Sequence, residues 1–471
     1  MGEEIKSASF APKDFDSFAI RLTEETAVAR RMFEEGAFSE SGYSLGFEIE
    51  AWLLDHSFFP NPVNEAFLEA INDPLVVPEL SRFNVELNCT PAVIAGDVFS
   101  RMIRDLTDLW ARCEQVAHGL DTNVVMIGTL PVIRDEDLRL QNLSPLKRYY
   151  ALNHEVVRRR GGRAIRVAIN GHDSLVSEHH DVLLEAATTS FQIHLKTPAS
   201  LAHHYWNASA MASGPLIAAS GNAPFLFGKD LWRETRIPLF EQAVDLPGSR
   251  GIQRVGFGAG YLERSLFELF AENLASYPVL LPLQFEEPPT ALRHLSLHNG
   301  TIWRWNRPLI GFDADGSAHL RIEHRILPAG PSMADMMANT AFYVGLVHEL
   351  VASGVAETSQ PTFMQAKQNF YAGARLGLEA EMAWPGTTGL PADRLLMQRL
   401  IPAARAGLAR LGVAEDGESF VDLFEHRVRT RHTGADWQRA SLAANAGDFR
   451  EMMAAYCERQ RSGAPVSQWP L

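Results

Sequence analysis

The alternation of apolar and polar positions changes period several times along the chain. Residues 14–36 repeat apolar positions at helical spacing and stop at Gly36, which predicts an opening helix. YSLGFEIEAWLLD, 43–55, alternates with a period of two and predicts a strand. VPELSRFNVELNCTP ends in a second strand, closed by Pro91. Residues 97–119 predict an amphipathic helix, followed by an apolar strand over NVVMIGTLP and a helix near 145–160. TTSFQIHLKTP predicts a further strand closed by Pro198, with a helix over roughly 199–219 behind it. TIWRWNRPLIGFD and AHLRIEHRIL predict a hairpin joined at Ala314, Asp315, Gly316 and Ser317. From about 331 to 460 the pattern is mostly helical. Strands and helices mix without a regular βαβ alternation, which predicts an α+β fold on an antiparallel sheet.

Four of these strands carry the same kind of polar face. A strand sends residues i and i+2 to one side. GFEIEAW therefore groups Glu48 with Glu50 against Phe47, Ile49 and Ala51. NVELN groups Glu86 with Asn88, and SFQIHLK groups Gln192 with His194. LRIEHRI groups Arg321, Glu323 and Arg325 opposite Leu320 and Ile322, with His324 fitting less tidily. Any one of these strands reads equally well as an amphipathic strand with a solvated face. Together their polar sets consist of carboxylates, imidazole and arginine rather than the Thr, Ser and Lys of an ordinary exposed face. Clustered carboxylates raise one another's pKa unless cations neutralise them, so removing one, such as Glu48 or Glu323, should relieve repulsion in a metal-free protein. Oxygen ligands with one imidazole and no thiolate suit Mg²⁺ or Mn²⁺. Arginines beside them suit a phosphate or a carboxylate, which the guanidinium binds bidentately. No GxxxxGK[ST] motif occurs, so the chemistry indicated is metal-assisted phosphoryl transfer without a P-loop.

GFEIE, ELSRFNVELNCTP, SFQIHL and RIEHR, in that order, resemble the glutamate–cysteine ligase and carboxylate–amine ligase family, whose catalytic sheet is glutamine synthetase-like. GTLP at 128–131, GNAPFLFGKDLWRETR at 221–236 and NFYAGARLGLEA at 369–380 support it. The resemblance implies a curved antiparallel sheet lined by metal ligands, with helices on its outer face. The resemblance spans about 43–381; the expected organisation is a helical extension over 1–40, a catalytic unit over 41–385, and a helical segment over 386–471 packed on the same unit. One metal set would be Glu48, His194 and Glu323, and the other Glu50, Glu86 and Glu79. Arg321 would face the nucleotide phosphates, and Arg325 the transferred phosphoryl group or the amino-acid substrate. Gln192, Asn88, Arg148, Arg233 and Arg236 are further candidates for substrate or nucleotide contact. The implied reaction is ATP-dependent joining of glutamate, or a similar carboxylate, to an amino-acid amine, most simply that of cysteine, through an acyl phosphate. A guanidino-type phosphotransferase and a non-catalytic nucleotide or amino-acid sensor are the alternatives on the same scaffold. Leu130 and Gln192 stand where some relatives carry histidine, which leaves the branch open.

Composition narrows the partners. The 471 residues are 46% hydrophobic and carry a formal charge of −14, so no electrostatic attraction to nucleic acid or an anionic membrane is expected. Three cysteines without a CxxC pair exclude a thiolate zinc cluster and a disulfide framework. No signal peptide or membrane span is legible, and a cytoplasmic protein is expected; a homo-oligomer is compatible with the sequence. Cys89 alternates with Leu87 and is read as an inert buried thiol. The pairs His179–His180 and His203–His204 are read as surface or helix-end residues, and His154 and Glu155 as structural. RRRGGR at 158–163 is a basic loop, solvated by default. TIWRWNR is read as a strand with one aromatic face, whose Arg304 and Arg307 could bind substrate.

Overall fold

A computed structural model describes residues 4–5, 8–246, 253–387 and 389–470. Its centre is one antiparallel sheet, curled into a half-barrel. The strands are β1 (Ser44–Leu54), β2 (Val76–Pro78), β3 (Asn84–Asn88), β4 (Ala92–Val93), β5 (Asn123–Val125), β6 (Ser190–Thr197), β7 (Asn306–Phe312) and β8 (Ala318–Pro328). They run in the order β7-β8-β6-β1-β3-β2, with β4 and β5 also pairing to β1. The helices that matter below are α1 (Pro12–Glu34), α2 (Val98–Gly119), α3 (Lys147–Arg159), α4 (Ala202–Ser220), α5 (Met333–Ala352), α6 (Phe363–Leu376), α7 (Ile401–Arg410) and α8 (Ala414–Thr430).

Phe47, Ile49, Ala51, Val85, Leu87, Phe191, Ile193, Leu195, Leu320 and Ile322 are all buried in one apolar cluster. Met102 and Leu106 of α2, Met211 of α4, Phe342 of α5 and Phe424 of α8 complete that layer. Each such side chain contributes about 1.5–3 kcal/mol on leaving water. Slipping the register by one residue would expose this whole set and press Glu48 and Glu50 into the apolar layer, so the polar face is fixed by the apolar one. Helices α5 and α7 cross closely because Gly345 and Gly407 face each other; a Cβ on Gly407 would strike the Gly345 carbonyl oxygen. The opening helix α1 is tied down by Glu25, fully buried, which accepts hydrogen bonds from the His294 ring (2.6 Å) and the Leu295 amide (2.8 Å).

Local departures from the sequence expectation have tertiary causes. NVVMIGTLP forms a strand only over Asn123–Val125. Beyond it the Met126 amide and carbonyl are taken by Gln460 and Tyr456 from the C-terminal helix Phe449–Arg461. TIWRWNR is broken rather than continuous: Trp303–Arg304 pairs in parallel with Val255–Gly256, and β7 begins at Asn306. Trp305 is buried and donates to Glu241, and Arg304 pairs with Glu272 at 3.1 Å. His179 is buried beside Asp135, and His203 is buried against the His204 ring, so two of the four paired histidines are interior rather than surface. Glu155 is buried and paired to Arg158, while Arg159 and Arg160 of the basic segment hold the carbonyls of Val279 and Asp245. Among the described residues no helix is long and apolar enough to cross a membrane.

Candidate active site

The register converts the shared faces into one constellation. Glu48 lies across from Asn88 on one side and Gln192 on the other, and Glu50 across from Glu86. Glu323 lies across from His194, and Arg307 across from Glu323. An irregularity in the β8–β6 pairing begins after His324, which is turned to the apolar side. There its Nδ1 meets Asn306 Oδ1 at 2.6 Å and its ring stacks on Tyr343 of α5.

Six of the candidate residues fall into two triplets. In Glu48–His194–Glu323 and in Glu50–Glu79–Glu86, one ligand-type atom from each residue lies within 4.8 Å of the others. Glu79 comes from the connection between β2 and β3. In the first triplet His194 Nε2 is 3.2 Å from Glu48 Oε1 and 3.8 Å from Glu323 Oε1, without forming a well-aligned hydrogen bond to either. Glu323 is 1% exposed and gripped by Arg307, whose Nε and Nη2 donate to its two oxygens at 2.7 Å each. Arg325 Nη1 adds a third contact at 3.0 Å. In the second triplet Glu50 accepts from the Ser190 amide (2.7 Å), Ser190 Oγ (2.8 Å) and Gln192 Nε2 (3.1 Å). Asn88 Nδ2 donates to Glu86 at 3.0 Å. Gln192 joins the triplets, since its Oε1 accepts from Arg325 Nη1 at 2.6 Å.

The two triplets differ in charge balance. Burial alone would raise Glu323, but Arg307, Arg325 and His194 outweigh it and hold the carboxyl well below its usual range. Burial would likewise raise Glu48, and contact with His194 reverses that. In the second triplet burial wins. It lifts Glu50 despite Arg325 and Ser190, lifts Glu79 strongly with help from Glu86 and Glu50, and, with Glu48, pushes Glu86 up to about 8. The expectation that removing Glu48 or Glu323 relieves repulsion therefore fails, since His194 offsets the charge of Glu48 and two arginines neutralise Glu323. Glu79 Oε1, Glu86 Oε2 and His194 Nε2 are buried atoms with no hydrogen-bond partner. Buried polar atoms are rarely left so. Carboxylate oxygens and one imidazole nitrogen suit a hard divalent cation, so both triplets fit such an ion.

The arginines divide. Arg321 lies on the polar face with Nη1 3.3 Å from His319 Nε2, over the space that Gly311 leaves by having no Cβ. Arg236 is buried beside Arg325, donating to Glu234 (3.2 Å) and to the Arg325 carbonyl (3.3 Å). Arg233, only three residues earlier, is not in the site: it pairs with Asp436 and donates to the Leu376 carbonyl at 3.0 Å. Arg148 stacks on Tyr149 and donates to its hydroxyl at 3.0 Å; that hydroxyl in turn donates to Pro78, next to Glu79. Arg307, considered as a substrate contact, is instead committed to Glu323. Cys89 Sγ accepts from the Phe47 amide at 2.9 Å and its thiol is pushed up to about 12 by burial, which makes it unreactive. Two residues that sequence reasoning did not single out belong here: Ser190, which anchors Glu50, and Glu185, discussed below. Neither carries a periodic signal, because Glu185 sits on a 3₁₀ turn (Val182–Ala187) and Ser190 opens β6.

Comparison with known proteins bears on the fold and the family. A search of curated proteins finds no match. Among solved structures, the chain resembles a glutamate–cysteine ligase from Francisella tularensis in complex with AMP, with a TM-score of 0.54 at 11% identity over 92% of this chain and 89% of that one. A bifunctional glutathione synthetase from Pasteurella multocida follows, with a TM-score of 0.48 at 10% identity over 93% of this chain and 54% of that one. A glutamine synthase homologue gives 0.31 at 13% identity, over 92% and 74%. At such identities the first likeness speaks for a shared fold. The family model "Glutamate-cysteine ligase family 2" matches residues 44–460, from the first residue of β1 into the C-terminal helix. The chain thus belongs to glutamate–cysteine ligase family 2 and is an ATP-dependent carbon–nitrogen ligase that joins a carboxylate to an amine.

Proposed function

We propose that this ligase couples the γ-carboxylate of glutamate to the amine of cysteine through γ-glutamyl phosphate. The observation that carries the reading is the pair of triplets with orphaned ligand atoms, joined by Gln192 and Arg325. Glu48, His194 and Glu323 would hold one divalent cation, Mg²⁺ or Mn²⁺, and Glu50, Glu79 and Glu86 another. Such ions, when bound, would supply positive charge that offsets the charge on the phosphoryl group in transfer.

The chain's own residues then position and stabilise. Arg325, held by Gln192 and Glu323, presents its guanidinium toward the phosphoryl group in transfer. Arg321 faces the nucleotide phosphates. A carboxylate oxygen of glutamate attacks the γ-phosphorus of ATP, forming a carboxyl–phosphate bond and releasing ADP. The neutral amine attacks the acyl carbon, phosphate leaves with the bonding pair, and the nitrogen loses a proton. Splitting the condensation in this way replaces one difficult step by two easier ones, and fixed geometry supplies much of the acceleration. No enzyme nucleophile is required.

The test is release of ADP and phosphate across pairs of carboxylates and amines, with Mg²⁺ or Mn²⁺. Release only when glutamate and cysteine are both present is expected. Phosphoryl transfer to a guanidino compound without free phosphate, or nucleotide binding without turnover on any pair, would overturn the reading.

A further inference from the structure

Next to the second triplet is a cavity of about 40 Å³ lined by Glu50, Glu79, Glu185, Ser190, Arg236 and Arg325. Glu185 belongs to neither triplet. Its backbone is pinned, because the Thr188 amide and hydroxyl both donate to the Glu185 carbonyl, at 3.0 and 2.8 Å. Its Oε2 is buried and has no hydrogen-bond partner. A carboxylate oxygen removed from water without a donor is costly unless a ligand supplies one. The arginines in the same wall oppose another metal ion but accept a carboxylate, so, beyond the acids of the two triplets, the cavity offers one further unpaired carboxyl oxygen beside fixed cations.

The geometry points to Glu185 as the receptor for the α-ammonium group of the carboxylate substrate, and so as the residue that makes this ligase select an amino acid over a simple dicarboxylate. This rests on the ligase reading above. The ammonium held here is that of the carboxylate donor and not of the attacking amine. A carboxylate neighbour keeps a nitrogen protonated, whereas the nucleophile must be neutral. The contact is a charge-assisted hydrogen bond inside the protein, and its loss weakens binding by roughly 10- to 100-fold.

The experiment compares glutamate with glutarate, which lacks only the ammonium group, by calorimetry on the full chain with Mg²⁺ and a non-hydrolysable ATP analogue. Wild type is expected to bind glutamate roughly 10- to 100-fold more tightly than glutarate. Glu185→Gln should lose that preference by weakening glutamate alone. Equal wild-type affinity for the two ligands, or equal weakening of both in Glu185→Gln, would overturn the assignment. Where Glu185→Gln does not fold, Glu185→Asp takes its place and should weaken glutamate more than glutarate, with equal weakening of both again overturning the assignment. Failure of the ligase reading looks different: wild type then releases no ADP with any carboxylate and amine pair, and the assignment falls with it.

Discussion

Glu86→Gln separates a metal-binding acid from a merely buried one. Glu86 is fully buried, and burial together with Glu48 moves its carboxyl from an ordinary 4.5 up to about 8. A carboxyl raised on folding binds its proton more tightly in the folded state. The stability that goes with that proton is complete below about pH 4.5, falls as pH rises toward 8, and is gone above it. At about 1.4 kcal/mol for each pH unit between the two values, the metal-free fold loses up to roughly 5 kcal/mol across that window. Glutamine has no such proton to lose. In urea unfolding with a chelator, wild type and Glu86→Gln should be close near pH 5, and the variant should be more stable by several kcal/mol near pH 9. Mn²⁺ should narrow that gap, because an ion at a hundred times its Kd adds about 2.7 kcal/mol to a protein that holds it. Equal stability of the two metal-free proteins near pH 9, or equal gain from Mn²⁺, would refute the reasoning.

Glu323→Gln should act in the opposite sense, since it strands Arg307 and Arg325 in the interior; the metal-free protein should lose about 3–5 kcal/mol in urea unfolding, together with ADP release. Arg325→Lys keeps the charge but not the fork, and the observed contacts run through one nitrogen, so the melting temperature should change little while ADP release falls by roughly 10³-fold or more. Near-normal turnover with a lowered melting point would make Arg325 a structural ion pair instead. Gly407→Ala forces α5 and α7 apart at the Gly345 carbonyl and should cost about 1–3 kcal/mol of stability, with unchanged ADP release per folded molecule.

The polar face of each catalytic strand was legible in the sequence. A period of two is a local property, and Glu48 and Glu50, Glu86 and Asn88, Gln192 and His194, and Glu323 and Arg325 share sides whatever the strand order. The apolar alternation also dictated which face is buried, because a one-residue slip would expose Phe47, Ile49 and Leu87 together. The helices over 98–119 and 202–220 and the β7–β8 hairpin followed from local periodicity and turn residues in the same way. The family resemblance, rather than any spacing, brought Glu79 into the second set. Partnership across the fold is another matter. Arg233 and Arg236 are three residues apart in RETR, yet one is held by Asp436 more than two hundred positions later and the other lies beside Arg325. Arg307 is bound to Glu323 only because β7 pairs with β8 in that register, and Glu185 faces the site only because a 3₁₀ turn precedes β6. Strand β5 stops at Val125 because a C-terminal helix takes the Met126 backbone. Periodicity reports which side of an element a residue occupies; what stands opposite it depends on how distant segments pack, and no local pattern carries that information.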